Sequence, residues 1–192
     1  IGGVTTIGNF LMNSEPYEDH FHAERQKGES SSHVDFFFHF TVMNEHHISH
    51  IGDYIKMGVP TFKYFMSYKG EEGLYIGVTG GDDGLMYEFF QELGKYPEAS
   101  TAVHPENIEV VWRLRKRLQE VGEDGLIAWD KSRPSFVEAD DLYTACYFAR
   151  LTGARIYVVH ISSSEAMDVA RYQKKLYDGI SIETCPHYLT HT

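Results

Sequence analysis

The sequence predicts an α/β fold with a parallel sheet, and three observations predict it. Six short runs have the apolar or aromatic character of strands. Segments with apolar residues at helical spacing lie between them. No Pro/Gly/Ser-rich linker or low-complexity tract divides the 192 residues, so one domain, or part of a larger one, is expected. At 42% hydrophobic and 14% aromatic, the chain can bury a sizeable core.

Taken in order, the first strand is Val4–Phe10, followed by a short polar helix over Glu18–Lys27. "DFFFHFTV", Asp35–Val42, is the second strand, and His46–Met57 the next helix, carrying Ile48, Ile51 and Ile55. Thr61–Met66 is the third strand. Leu85–Leu93 follows as a helix with Met86, Phe89, Phe90 and Leu93 at helical spacing. Ser100–His104 is a strand and Ile108–Val121 an amphipathic helix with a basic middle. Val137–Thr152 is a helix, Ile156–His160 a strand, Ser164–Tyr177 a helix and Ile180–Cys185 the last strand. The stretches Val78–Gly84 and Gly122–Pro134 are expected as loops because glycine interrupts any period.

Strands alternating with helices fit a doubly wound sheet or most of a (β/α)8 barrel, which usually takes about 250 residues. In a barrel, chemistry sits at the C-terminal ends of strands. His104 and His160 each close an apolar strand, and Lys63 lies inside "TFKYFM". An isolated ammonium there would cost several kcal/mol in desolvation or give up its proton. Lys63 therefore either escapes to solvent at the strand end or has an unusual chemical role. A neutral amine in an apolar pocket can react with carbon dioxide to give an anionic carbamate with two oxygens. Snorkelling to solvent and Schiff-base chemistry are the alternatives. Each histidine alone also fits a core residue hydrogen-bonded to backbone. Their recurrence on separate strands is what a metal at a barrel mouth needs.

Formal net charge is −11, which argues against nucleic acid or an anionic membrane as main partner. Cys146 and Cys185 form no C-x-x-C pair, which fits a reducing cytoplasm. No apolar run approaches the roughly 18 residues that span a bilayer. The opening "IGGVTTIGNF" is not a signal peptide, and both ends are expected to be cut from something longer.

Five motifs, "FKYFMSYKG", "VHPEN", "SRPSFVEA", "YVVHISS" and "ETCPHYL", occur in this order from Phe62 to Leu189. Together they resemble the cyclic-amidohydrolase branch of the amidohydrolase superfamily, the dihydropyrimidinase and hydantoinase group. The resemblance covers nearly the whole chain. It implies a (β/α)8 TIM-type barrel, here strands two to seven, within a partial metal-dependent amidohydrolase barrel over 1–192. It implies two divalent metal ions, usually zinc, bridged by a carbamylated Lys63, with His104 and His160 on one metal. Tyr68 matches the tyrosine that polarises the scissile carbonyl. The family's first-strand H-x-H pair and eighth-strand aspartate would precede Ile1 and follow Thr192, and its small β-sandwich is also missing. The implied reaction is hydrolysis of a small cyclic amide, a dihydropyrimidine or hydantoin ring, to an N-carbamoyl amino acid, by an enzyme that is often a homotetramer. Allantoinase and dihydroorotase are the neighbouring activities, and a non-catalytic scaffold is the reading from another class. A complete six-stranded protein is a further reading, and it leaves long exposed edges.

Other candidates rank lower. His20 and His22 in "DHFHA" enter a polar helix, where positions i and i+2 diverge by about 200°, so they are read as surface residues. His46 and His47 are read likewise. His39 is expected in the core, with a functional role as the alternative. His187 is expected to be structural or to support the site rather than bind metal. Arg133 fits either a loop anchor at the site rim or a structural ion pair, Pro134 and Glu138 a helix start, and Cys185 a small buried hydrophobe.

Overall fold

The computed structural model describes residues 2–190. Among these residues six strands, β1 (Thr6–Leu11), β2 (Asp35–Thr41), β3 (Thr61–Phe65), β4 (Ser100–His104), β5 (Ile156–Val158) and β6 (Ile180–Ile182), form one sheet. Every adjacent pair is parallel and the spatial order equals the chain order. A doubly wound sheet reverses its order at a switch point. This one proceeds in a single direction, which is the winding of a (β/α)8 barrel.

The helices are α1 (Tyr17–Ser31), α2 (Glu45–Ser49), α3 (Ile51–Lys56), α4 (Gly70–Ile76), α5 (Asp83–Leu93), α6 (Ile108–Glu120), α7 (Gly125–Lys131), α8 (Ser135–Thr152) and α9 (Ser164–Leu176). Several begin on a side chain that accepts a free backbone N–H of the first turn. Asn44 accepts from His47, Asp82 from Leu85, Asn107 from Val110 and Ser163 from Ala166. Each such cap is worth about 1 kcal/mol and fixes where a strand-end loop stops.

Alternation along the strands divides two layers. Phe62 and Tyr64 of β3 face the helices and pack on Phe89, with ring centroids 6.0 and 5.9 Å away. Phe40 of β2 stacks on Tyr17 at 4.2 Å and meets Phe21 edge-on at 5.2 Å. These rings are buried, and each contributes roughly 1.5–3 kcal/mol through burial. The intervening residues, Lys63 and Phe65 on β3 and Ala102 and His104 on β4, are paired in register and face the other side.

The structure corrects several boundaries. The helix expected over His46–Met57 is two, broken at His50, which leaves helical geometry (φ −108°, ψ 11°). His47, expected at the surface, is buried; its Nδ1 accepts the Met43 N–H and its Nε2 lies 3.2 Å from the Glu15 carbonyl. Helices α4 and α7 were not expected. Their apolar residues face outward, with Leu74 78% and Leu126 89% exposed, so no apolar stripe announces them. Strands β5 and β6 end earlier than expected, at Val158 and Ile182. No helix among the described residues is long and apolar enough to cross a membrane.

One carboxylate gives a pH prediction. Burial, and then repulsion from Asp140, pushes Asp141 of α8 up from 3.8 to about 7. The folded state thus holds this proton more tightly than the unfolded chain, and the stabilisation present at low pH is lost as pH rises through 7. Asp141→Asn should raise stability by about 1–3 kcal/mol above pH 7 and change little near pH 4, about the ordinary Asp value. Denaturant midpoints at both pH values measure this; an equal gain at both would remove the assigned cause.

Candidate metal centre

The alternation of β3 explains its lysine. With Phe62 and Tyr64 committed to the helix layer, Lys63 must point to the opposite face, where it is only 3% exposed. Its Nζ lies 4.7 Å from the Phe65 ring centroid and 5.6 Å from that of Phe10. Among the described residues no carboxylate forms an ion pair with it. Burial lowers its pKa to about 7, opposed by the more distant charge of Glu183. A substantial fraction of this amine is therefore neutral at physiological pH, unlike an ordinary lysine.

His104 ends β4 and His160 follows β5 by two residues. His160 Nε2 lies 2.8 Å from His104 Nδ1, and the rings meet edge-on. Burial, then the nearby Lys63 charge, then His160 hold His104 well below the usual imidazole range. Burial and Lys63 also lower His160. Both shifts favour the neutral imidazole, the form that ligates metal. The His160 backbone sits at φ +43°, a left-handed conformation rare for a residue with a side chain. It is held there in part by its own N–H, which donates to Glu183 Oε1 at 3.2 Å. Strain of this kind concentrates at functional positions, where the surroundings over-determine it.

Among the described residues, Tyr68 is the other non-glycine residue at positive φ, +59°. Its ring lies 5.2 Å from that of His104 and 5.3 Å from that of Phe65. Burial, and then Glu106, raise its pKa, so the hydroxyl keeps its proton and remains a donor. Glycine supports this loop: Gly80 N–H donates to the Tyr68 carbonyl at 3.2 Å, and a methyl added to Gly73 would collide with the same oxygen.

Lys63, His104 and His160 line one cavity of about 370 Å³, together with Phe10, His39 and Glu183. A second cleft of about 410 Å³ shares both histidines and extends past Glu106, Arg133 and Ser162. The donor set fits a divalent metal in two respects: neutral imidazoles converge on one point, and a buried amine without a counterion can become an anionic oxygen ligand as its carbamate.

The remaining candidates fall as follows. His39 lies at the cavity wall, stacked on Phe10 at 4.8 Å, with Nδ1 buried and unpartnered. His20 and His22 are exposed on α1, as expected. His187 is exposed in a 3-10 turn (Pro186–Leu189) and meets the Tyr188 ring edge-on. Arg133 pairs with Glu106 at 3.0 Å and covers the Trp129 ring at 3.4 Å, so it acts as both expected alternatives. Cys185 is only partly buried, whereas burial pushes the Cys146 thiol up to about 12.

Two acids were not singled out from sequence for what they do. Glu183 accepts from the His160 N–H and from the Tyr157 hydroxyl at 2.9 Å. Glu138 accepts from the N–H groups of Ser162 and Ser163 at 2.8 and 2.9 Å, and from both hydroxyls. Together they fix the loop that carries His160. Both lie inside motifs already noted, but their partners are 23 to 26 residues away in sequence.

No protein-family model matches the chain. It is 31% identical over 196 residues to an allantoinase of Deinococcus radiodurans, spanning 100% of this chain and 42% of that protein. It is 31% identical over 199 residues to a D-hydantoinase of Geobacillus stearothermophilus, spanning 98% and 39%. A solved D-hydantoinase superposes with a TM-score of 0.88 at 26% identity, over 100% of this chain and 41% of that one. The fold is therefore that of part of a hydantoinase-type TIM barrel, with its strand-end residues gathered at one face. The chain belongs to the cyclic-amidohydrolase family and spans about 40% of the length of these relatives.

Proposed function

We propose that this protein hydrolyses a cyclic amide, a hydantoin or dihydropyrimidine ring, to an N-carbamoyl amino acid, using two divalent metal ions held in part by this chain. The observation that carries the reading is Lys63: buried, without a paired carboxylate among the described residues, and facing the same cavity as His104 and His160. Its amine can add to carbon dioxide, forming an N–C bond and releasing one proton, and the carbamate oxygens and the two imidazoles would then hold the metal. Two divalent ions, zinc in this reading, supply an activated water at neutral pH and a Lewis acid for the amide carbonyl. Tyr68 donates its O–H to the carbonyl oxygen as negative charge develops there. Glu183 and Glu138 hold the His160 loop, so that the imidazole keeps its aim. The apolar walls, Phe10 and Phe65, keep bulk water from the amine and strengthen each charge interaction.

Allantoin is the second substrate reading, favoured by the name of the Deinococcus relative. The resemblance of "FMSYKG" to the motif of the hydantoinase and dihydropyrimidinase group supports hydantoin and dihydropyrimidine rings. The test is a substrate panel on the protein expressed from its complete coding sequence. Hydantoin and dihydropyrimidine rings should open faster than allantoin. Removing metal with a chelator should abolish turnover, and adding zinc back should restore it. A preference for allantoin selects the second substrate. No turnover of any ring at full metal occupancy would leave a scaffold.

A further inference from the structure

A second group of ligands lies outside the barrel cavity. Glu18 in the first turn of α1, His46 in α2 and His50 at the α2–α3 junction each offer a ligand atom, and these atoms lie within 4.8 Å of one another. His46 Nε2 is 2.8 Å and His50 Nε2 4.0 Å from the same oxygen, Glu18 Oε1. Ligand atoms in a tetrahedral zinc site stand about 3.3 Å apart, given bonds of about 2.0–2.1 Å. The observed separations bracket that value. The two histidines are one helical turn apart, with stacked rings at 4.1 Å.

The surroundings orient two of the three ligands. His50 Nδ1 lies 2.9 Å from the His46 carbonyl. A carbonyl can only accept, so Nδ1 carries the proton and Nε2 presents its lone pair. Tyr54, buried and packed edge-on against Phe40, donates its hydroxyl to Glu18 Oε2 at 3.0 Å. That bond occupies the far carboxylate oxygen and leaves Oε1 toward the histidines. The three side chains are about one-third exposed, 37%, 40% and 36%, so water can complete the coordination.

From this arrangement we infer that Glu18, His46 and His50 form a separate surface site for a transition-metal divalent cation of the zinc type. Two imidazoles and one carboxylate suit zinc, nickel or copper better than calcium or magnesium, which take oxygen ligands. The ion would clasp α1 to the α2–α3 pair at the end of the sheet where β1 and β2 run out. No residue is shared with the Lys63 cavity, so the inference does not rest on the proposed hydrolysis.

The probe is zinc alone, read by position and affinity rather than turnover. Anomalous diffraction at the zinc edge on the wild-type protein should place an ion between His46 and His50. His50→Ala should remove that ion and lower bound zinc by one per chain, leaving metal at the barrel histidines unchanged. Tyr54→Phe keeps all three ligands and should weaken zinc at this site by about 10-fold or more, the usual cost of losing a partner that orients a ligand. Anomalous density at the barrel histidines alone overturns the inference. So does zinc affinity that Tyr54→Phe leaves unchanged, because a chance pair of surface histidines is indifferent to that hydroxyl.

Discussion

Lys63→Met should abolish ring opening and strip the barrel cavity of its anionic ligand, while making the metal-free protein more stable. The two effects have one origin. The amine sits 3% exposed between Phe10 and Phe65, and burial brings its pKa to about 7. Methionine fills similar volume without the desolvated amine, whose pKa lowered to about 7 by burial corresponds to a cost on the order of a few kcal/mol near neutral pH. It also cannot form a carbamate, so His104 and His160 remain as the proposed ligands of the barrel metal in this chain. The measurements are bound metal, turnover and the denaturant midpoint of the metal-free protein. Wild-type turnover with full metal in Lys63→Met would sink the assignment of Lys63. Loss of both turnover and stability would point instead to a structural lysine.

Tyr68→Phe should lower kcat by about 10²–10³-fold, corresponding to roughly 2.7–4 kcal/mol of transition-state stabilisation, with metal content and KM nearly unchanged. Phenylalanine keeps the ring, which packs between Phe65 and His104, and loses only the hydroxyl. In the proposed mechanism the side chain would touch the reacting carbonyl only as charge develops, so the loss belongs in kcat. A rise in KM at constant kcat would assign Tyr68 to substrate binding instead. The support of the loop by Gly73 and Gly80 is untouched, so the backbone at φ +59° is retained.

Much of the fold was legible because it is written in local periods. Strand β4, Ser100–His104, falls where alternation and flanking turns put it, and α5, α6, α8 and α9 fall within a few residues of expectation. Each of these elements buries apolar side chains at regular spacing. Helices α4 and α7 were not legible because their apolar residues face outward and carry no such spacing. The break at His50 was hidden because Ile48, Ile51 and Ile55 continue a helical pattern across it.

Strand-end placement put Lys63, His104 and His160 forward as one group, and the structure gathers them around one cavity. The supporting acids, Glu183 and Glu138, were out of reach. So were the buried place of His47 and the position of His39 at the cavity wall. A side-chain hydrogen bond across more than twenty residues leaves no period in the chain.

The sequence by itself determined the order of strands and helices and the chemical identity of the strand-end residues, since backbone geometry converts spacing into facing. Only the tertiary structure decided that the sheet winds in one direction, that Lys63 has no paired carboxylate among the described residues, and that two imidazole nitrogens meet at 2.8 Å. Those features depend on convergence of distant segments and on exclusion of water, and neither exists until the strands stand side by side.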